Sequence, residues 1–146
     1  MSGINRILHL SAICVLLAPS SAAATQESDE LVWEAFAKSQ TGNTYLAAPQ
    51  TIKPPQAHST RTAPFTEIWI RTEFAETDEA GTQSTETLWY ILCDEQQFMM
   101  GSIYAFDAQE KILWSDHKTG YHKRKNYEPI PELSVISQIA AVACAK

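Results

Sequence analysis

The chain has 146 residues, 45% hydrophobic and 19% charged, with 11 Lys and Arg against 17 Asp and Glu and a net charge of −6. This length fits one domain, and the apolar share excludes a wholly disordered protein. The acidic balance speaks against a nucleic-acid partner, which takes a basic surface, and no apolar run reaches the ~18 residues of a membrane-spanning helix.

Residues 1–24 read as a secretory signal peptide. Arg6 and the α-amine form a short positive start, and Ile7 to Leu17 is an apolar run of signal-peptide size. Pro19, Ser20 and Ser21 break the run, and Ala22-Ala23-Ala24 offers a small-residue cleavage site before Thr25. Ile13 precedes Cys14, so the pattern is not that of a lipoprotein. A membrane anchor and a buried helix are the rival readings; the run is short for the first. The expected mature domain is 25–146. It keeps ten basic and seventeen acidic residues, for a charge of −7, and two of the three cysteines, Cys93 and Cys144. An even pair in an exported chain reads as one disulfide, with two unpaired thiols as the alternative. The bridge would close a loop of about 50 residues, worth roughly 4 kcal/mol in the chain-entropy model. A redox-active pair is disfavoured, because there is no C-x-x-C.

In chain order, residues 25–30 are a polar lead-in. Val32 to Lys38 and Thr44 to Ala47 flank Thr41-Gly42-Asn43, a hairpin signal. Residues 49–64 hold four prolines and read as a long loop. Thr66 to Phe74 alternates Ile68, Ile70 and Phe74 with Glu67, Arg71 and Glu73, the period of a half-buried strand. Thr85 to Cys93 is apolar on both faces through Leu88-Trp89-Tyr90-Ile91-Leu92, so it should be central and covered on both sides. Phe98 to Asp107 and Lys111 to Ser115 follow as strands. Pro131 and Glu132 suit the first turn of a helix, with Val135, Ile136, Ile139, Ala140, Val142 and Ala143 at helical spacing. The fold class is α+β: a small meandering antiparallel sheet packed by a C-terminal helix, with Cys144 pinned to Cys93.

The charges are segregated. Residues 67–95 carry eight acids and one base, Arg71, while residues 117–125 carry His117, Lys118, His122, Lys123, Arg124 and Lys125 and no acid. Trp114, Tyr121 and Tyr127 interleave that basic run. Cations beside aromatics suit a protein-binding surface, so Trp114, Lys118, Tyr121, Lys123, Arg124, Lys125 and Tyr127 are the candidate binding residues. A plain solvated loop is the alternative. His58, His117 and His122 lack a metal-ligand spacing, and the acids at 73–79 lack a calcium-loop pattern and read as a solvated hairpin tip. Ser115-Asp116-His117 has no nucleophile-elbow context. No catalytic residue, metal or cofactor is expected. Trp33, Trp69, Trp89 and Trp114 sit on strand-like segments and are expected mainly in the core.

A series of elements runs in order along the chain: Trp33, Tyr45, Thr51-Ile52, Glu67-Ile68-Trp69 and Leu92-Cys93. Ser102-Ile103-Tyr104-Ala105-Phe106-Asp107 turning into Lys111-Ile112-Leu113-Trp114 comes next, and then Pro131, Ser134 and Cys144. In this order of elements the chain resembles the surface-adhesin protein E family of Gram-negative bacteria. Tyr127 stands where the family usually carries Trp. The resemblance implies a small antiparallel sheet with a helix and a disulfide. It also implies binding of host extracellular-matrix or serum proteins, often as a homodimer. The function expected is therefore an exported, non-enzymatic protein-binding module, located in the periplasm, secreted or at the cell surface. The alternative is a periplasmic inhibitor or immunity-type protein docking on an enzyme, with the Pro-rich 49–64 segment as its protruding loop.

Overall fold

The computed structural model describes residues 31–56, 64–117 and 124–145. The signal-peptide segment 1–24 lies outside them. Eight strands form one antiparallel sheet: β1 (Glu34–Lys38), β2 (Thr44–Ala47), β3 (Lys53–Gln56), β4 (Phe65–Glu73), β5 (Ser84–Leu92), β6 (Gln97–Phe106), β7 (Ile112–Asp116) and β8 (Glu128–Pro129). One helix, α1 (Val135–Ala143), follows. The expected α+β class is what the chain adopts.

The sheet order is β1-β2-β4-β5-β6-β7. The first hairpin turns at Gly42, whose φ of +90° suits glycine far better than any residue with a Cβ, and the Ser39 amide donates to the Asn43 carbonyl at 2.9 Å. β4 has two neighbours on one edge: β2 pairs its C-terminal half and β3 its N-terminal half. β6 is served the same way on its outer edge, by β7 at residues 103–106 and by β8 at residues 97–98.

Two expectations need correcting. Residues 49–64 are not one long loop. A 3-10 turn at Pro49–Thr51 leads into β3, which pairs with β4 through Lys53 and Gln56. Two prolines fit there because β3 lies at the rim of the sheet, where a missing N–H costs no interior ladder bond. The turn is clamped by the Thr51 hydroxyl, which donates to the Ala48 carbonyl at 2.7 Å and accepts from the Trp69 amide at 3.1 Å. Nor do Pro131 and Glu132 open the helix. Leu133, with φ of +55°, turns the chain. Ser134 is the N-cap, its Oγ accepting from the Ser137 amide at 3.1 Å.

Alternation along the strands sorts their side chains onto two faces. On one face Ala47, Ile68, Ile70 and Ile91 meet Ile139, Ala140 and Ala143 of α1, all buried. The disulfide Cys93–Cys144 joins the end of β5 to the C-cap of this helix, with the Cα atoms 5.8 Å apart. On the other face Phe65, Tyr90, Leu92 and Met99 form a second buried cluster closed by Tyr127. The Phe65 and Tyr90 rings meet edge to face with centroids 5.3 Å apart. β5 is thus central and covered on both faces at this end, as its two-faced sequence implies. Tyr90 lies over Gly101, where a Cβ would come within 2.5 Å of its ring.

Candidate functional site

A nine-residue helix is about 14 Å long, and strands are spaced about 4.8 Å apart. α1 packs toward β1 and β4, so β7, three positions beyond β4 in the sheet order, lies about 14 Å from that cover. All five β7 residues are exposed. Ile112 is 52% exposed and Trp114 is 45% exposed, both at an outer edge that no described strand pairs. An exposed apolar edge strand is a template for contact with another chain, and soluble proteins usually blunt such edges with charge or proline.

The structure separates the candidate binding residues. Trp114 pairs with Ala105 and therefore projects on the helix side of the sheet, beyond the reach of α1. The expectation that the tryptophans are mainly core holds for Trp89, which packs against the helix-side cluster, and fails for Trp114. Its surroundings explain why: among the described residues, no second layer covers that edge. Lys125 is exposed in a 3-10 turn at Arg124–Asn126. Lys118, Tyr121 and Lys123 lie outside the described residues, as does the side chain of Arg124. Tyr127 does not belong to an exposed patch. It is 8% exposed, packed in the second core cluster, and burial pushes its phenol up to about 12, with the charges of Tyr90 and Glu67 adding to the effect. β7 and β8 both pair with β6, so the segment 114–127 leaves and rejoins the same edge of the sheet. His117, the residue after β7, has its ring edge-on to Tyr104, centroids 5.0 Å apart.

The acidic half is organised by a residue that sequence reasoning treated only as a lone base. Arg71 donates from Nη1 to Glu86 at 3.0 Å and from Nη2 to Glu110 at 2.5 Å, while Nε lies 3.7 Å from Glu73. Its guanidinium also sits 5.9 Å from the Phe106 ring centroid. Burial opposes the charge, but the bonds and attraction of Glu110 and then Glu86 outweigh it and raise the Arg71 pKa above its ordinary value. The alternation of β4 and its register against Glu86 could have shown the first pair; Glu110 arrives from the β6–β7 turn and could not be seen. At the hairpin tip Asp78 Oδ1 accepts from the Thr82 amide at 2.8 Å and the Ala80 amide at 3.0 Å. The Thr82 bond is the main reason its pKa falls below the usual carboxylate value. That aspartate closes a turn. No cluster of metal-ligating residues occurs among the described residues, and no helix among them is long and apolar enough to cross a membrane.

No curated protein and no solved structure shows significant similarity to the chain. The family model described as surface-adhesin protein E matches residues 33–145. That span runs from the residue before β1 to the residue after the C-cap cysteine, and includes the β7 edge and the disulfide. The chain belongs to the surface-adhesin protein E family.

Proposed function

We propose that this protein is an exported, non-enzymatic adhesin-like module that binds host extracellular-matrix or serum proteins through β7 and the basic, aromatic segment that follows it. Family membership supports an adhesin-like role. The observation that carries the choice of surface is the exposed apolar edge, Ile112 and Trp114, continuous in sequence with the run of cations at 117–125. Trp and Arg are favoured anchors at protein interfaces. An extended partner segment could add to the β7 ladder while the cations meet acidic side chains. The leader at residues 1–24 would deliver the chain across the inner membrane, with cleavage after Ala24. N-terminal sequencing of the exported protein tests this by reading Thr25 first.

The decisive experiment is a pull-down of immobilised matrix and serum proteins with the mature chain, its Trp114→Ala variant and a Lys123→Ala/Arg124→Ala/Lys125→Ala variant. The proposal expects both variants to lose binding. Full binding by both would place the surface elsewhere. The open β7 edge also offers a place for a second copy of the chain, in line with the homodimer expected from the family. Sedimentation velocity at high concentration tests this, and a monomer throughout removes it. In the alternative reading, an inhibitor docking through the Pro-rich segment, Lys53 and Gln56 of that segment pair with β4, and residues 57–63 lie outside the described residues.

A further inference from the structure

Among the described strands, β7 pairs with β6 alone. All five of its residues are exposed, and its register slips between Ala105 and Phe106, opposite the start of the strand. A strand held by one irregular ladder, with no second layer over it among the described residues, is locally weak. The turn that precedes it breaks a local rule. The Glu110 amide donates to the Asp107 carbonyl at 3.1 Å and the Asp107 amide to the Lys111 carbonyl at 3.0 Å. Asp107 Oδ1 accepts from the Gln109 and Lys111 amides, both at 2.9 Å. Glu110 closes this hairpin with φ of +60°, the left-handed position that such loops usually give to glycine. A glutamate is strained there. Its side chain shows what it does at that place: Oε1 accepts from Nη2 of Arg71 at 2.5 Å. Arg71 lies on β4, with β5 and β6 between it and β7. The arginine is itself anchored. Its side chain is only 13% exposed, it donates to Glu86 of β5 at 3.0 Å, and its guanidinium sits 5.9 Å from the Phe106 ring centroid of β6.

We infer that the Arg71–Glu110 ion pair is a latch that orders the β7 edge, with both residues acting as positioning residues for it. Glutamate stands where glycine would suit the backbone because its carboxylate ties the turn back across two strands to a fixed point in the sheet. Only Lys111 separates Glu110 from β7, so the tie acts on the start of the strand. Beyond its far end, the His117 ring rests against Tyr104. An edge already ordered loses less entropy when an extended partner segment pairs with it. That consequence for binding rests on the reading of β7 as the docking edge; the latch itself does not.

The test is amide hydrogen exchange of the mature chain, its Glu110→Gln variant and its Glu110→Gly variant, with thermal unfolding as the measure of global stability. Glutamine keeps the length of the side chain and the strained backbone but removes the charge. Glycine removes the charge and the strain together. The latch predicts that the hydrogen-bonded amides of β7 exchange about threefold faster or more in both variants, the size expected of a partly exposed ion pair. Exchange in β4 and β5 should not change. If Glu110 serves only the turn, glycine there should protect β7 as well as the wild type or better. Unchanged β7 exchange in Glu110→Gln, or β7 protection kept or raised in Glu110→Gly, overturns the inference. A loss spread evenly over all strands and matched by a lower Tm overturns it too, since that is general destabilisation. Binding of the same variants to immobilised matrix proteins is a separate readout. A loosened β7 with full binding supports the latch and counts against β7 as the docking edge.

Discussion

Replacing Cys93 and Cys144 together by serine removes the covalent tie between the end of β5 and the end of α1. The bridge spans 51 residues of sequence, so the chain-entropy model assigns it about 4 kcal/mol at 25 °C. The helix also has its own native contacts: Ile139, Ala140 and Ala143 are buried against Ile68, Ile70 and Ile91. A nine-residue helix has little stability of its own; these packing contacts should keep it docked in the variant, so the loss appears mainly in a freer unfolded state. Against a typical total of 5–15 kcal/mol, about 4 kcal/mol is a large share. Urea unfolding followed by tryptophan fluorescence reads it directly. With a slope of about 1.5–2 kcal/mol/M, the midpoint should fall by about 2–3 M, and the slope should rise because an uncrosslinked chain exposes more surface. A loss under about 1 kcal/mol with an unchanged slope would refute the reasoning. A selective loss of hydrogen-exchange protection in α1, with the strands unaffected, would also refute it, by showing that the bond holds the helix in place.

Other outcomes follow from single residues. Gly101→Ala places a Cβ within 2.5 Å of the Tyr90 ring and 3.1 Å of the Leu88 carbonyl, so it should cost about 1–3 kcal/mol by thermal unfolding. Ser134→Ala removes the N-cap acceptor for the Ser137 amide and should cost about 1 kcal/mol. The contribution of Tyr127 to stability should be flat in pH up to about 10 and then fall. The unfolded Tyr127 phenol ionises near 10, while the folded one is held at about 12. Between those values the unfolded state releases a proton that the folded state keeps, and the loss is at most about 1.4 kcal/mol per pH unit. Tyr90, whose pKa is also raised, chiefly by burial, adds in the same direction. Tyr127→Phe should abolish most of the part due to Tyr127.

The legible parts of the fold were those set by periodicity. The alternation in β4, the two-faced run in β5 and the helical stripe ending at Cys144 each fix a local choice that packing then confirms. The β3 strand was hidden because proline counts as a loop signal. Only the tertiary fact that β3 lies at the rim, bonded to the N-terminal half of β4, makes Pro54 and Pro55 acceptable there. The helix start was misplaced because Pro131-Glu132 is as good a first turn as Ser134-Val135 until Leu133 is seen to turn the chain. The candidate site was legible only in part. Trp114 and Tyr127 look alike in sequence, each an aromatic flanking cations. What separates them is the second layer: none among the described residues reaches β7, whereas Tyr127 closes the cluster around Phe65 and Tyr90. Arg71 stood out as the one base among eight acids, but the carboxylate that completes its cluster comes from a turn 39 residues away.

Whether β7 and the basic segment form the binding surface is read by surface plasmon resonance of the mature chain over immobilised matrix and serum proteins, comparing the wild type with Trp114→Ala. Trp114 is 45% exposed and outside both core clusters. Its loss should therefore leave thermal stability within about 0.5 kcal/mol, while it weakens binding about tenfold or more, as expected of an interface anchor. Binding of unchanged affinity in a folded Trp114→Ala variant would contradict the account.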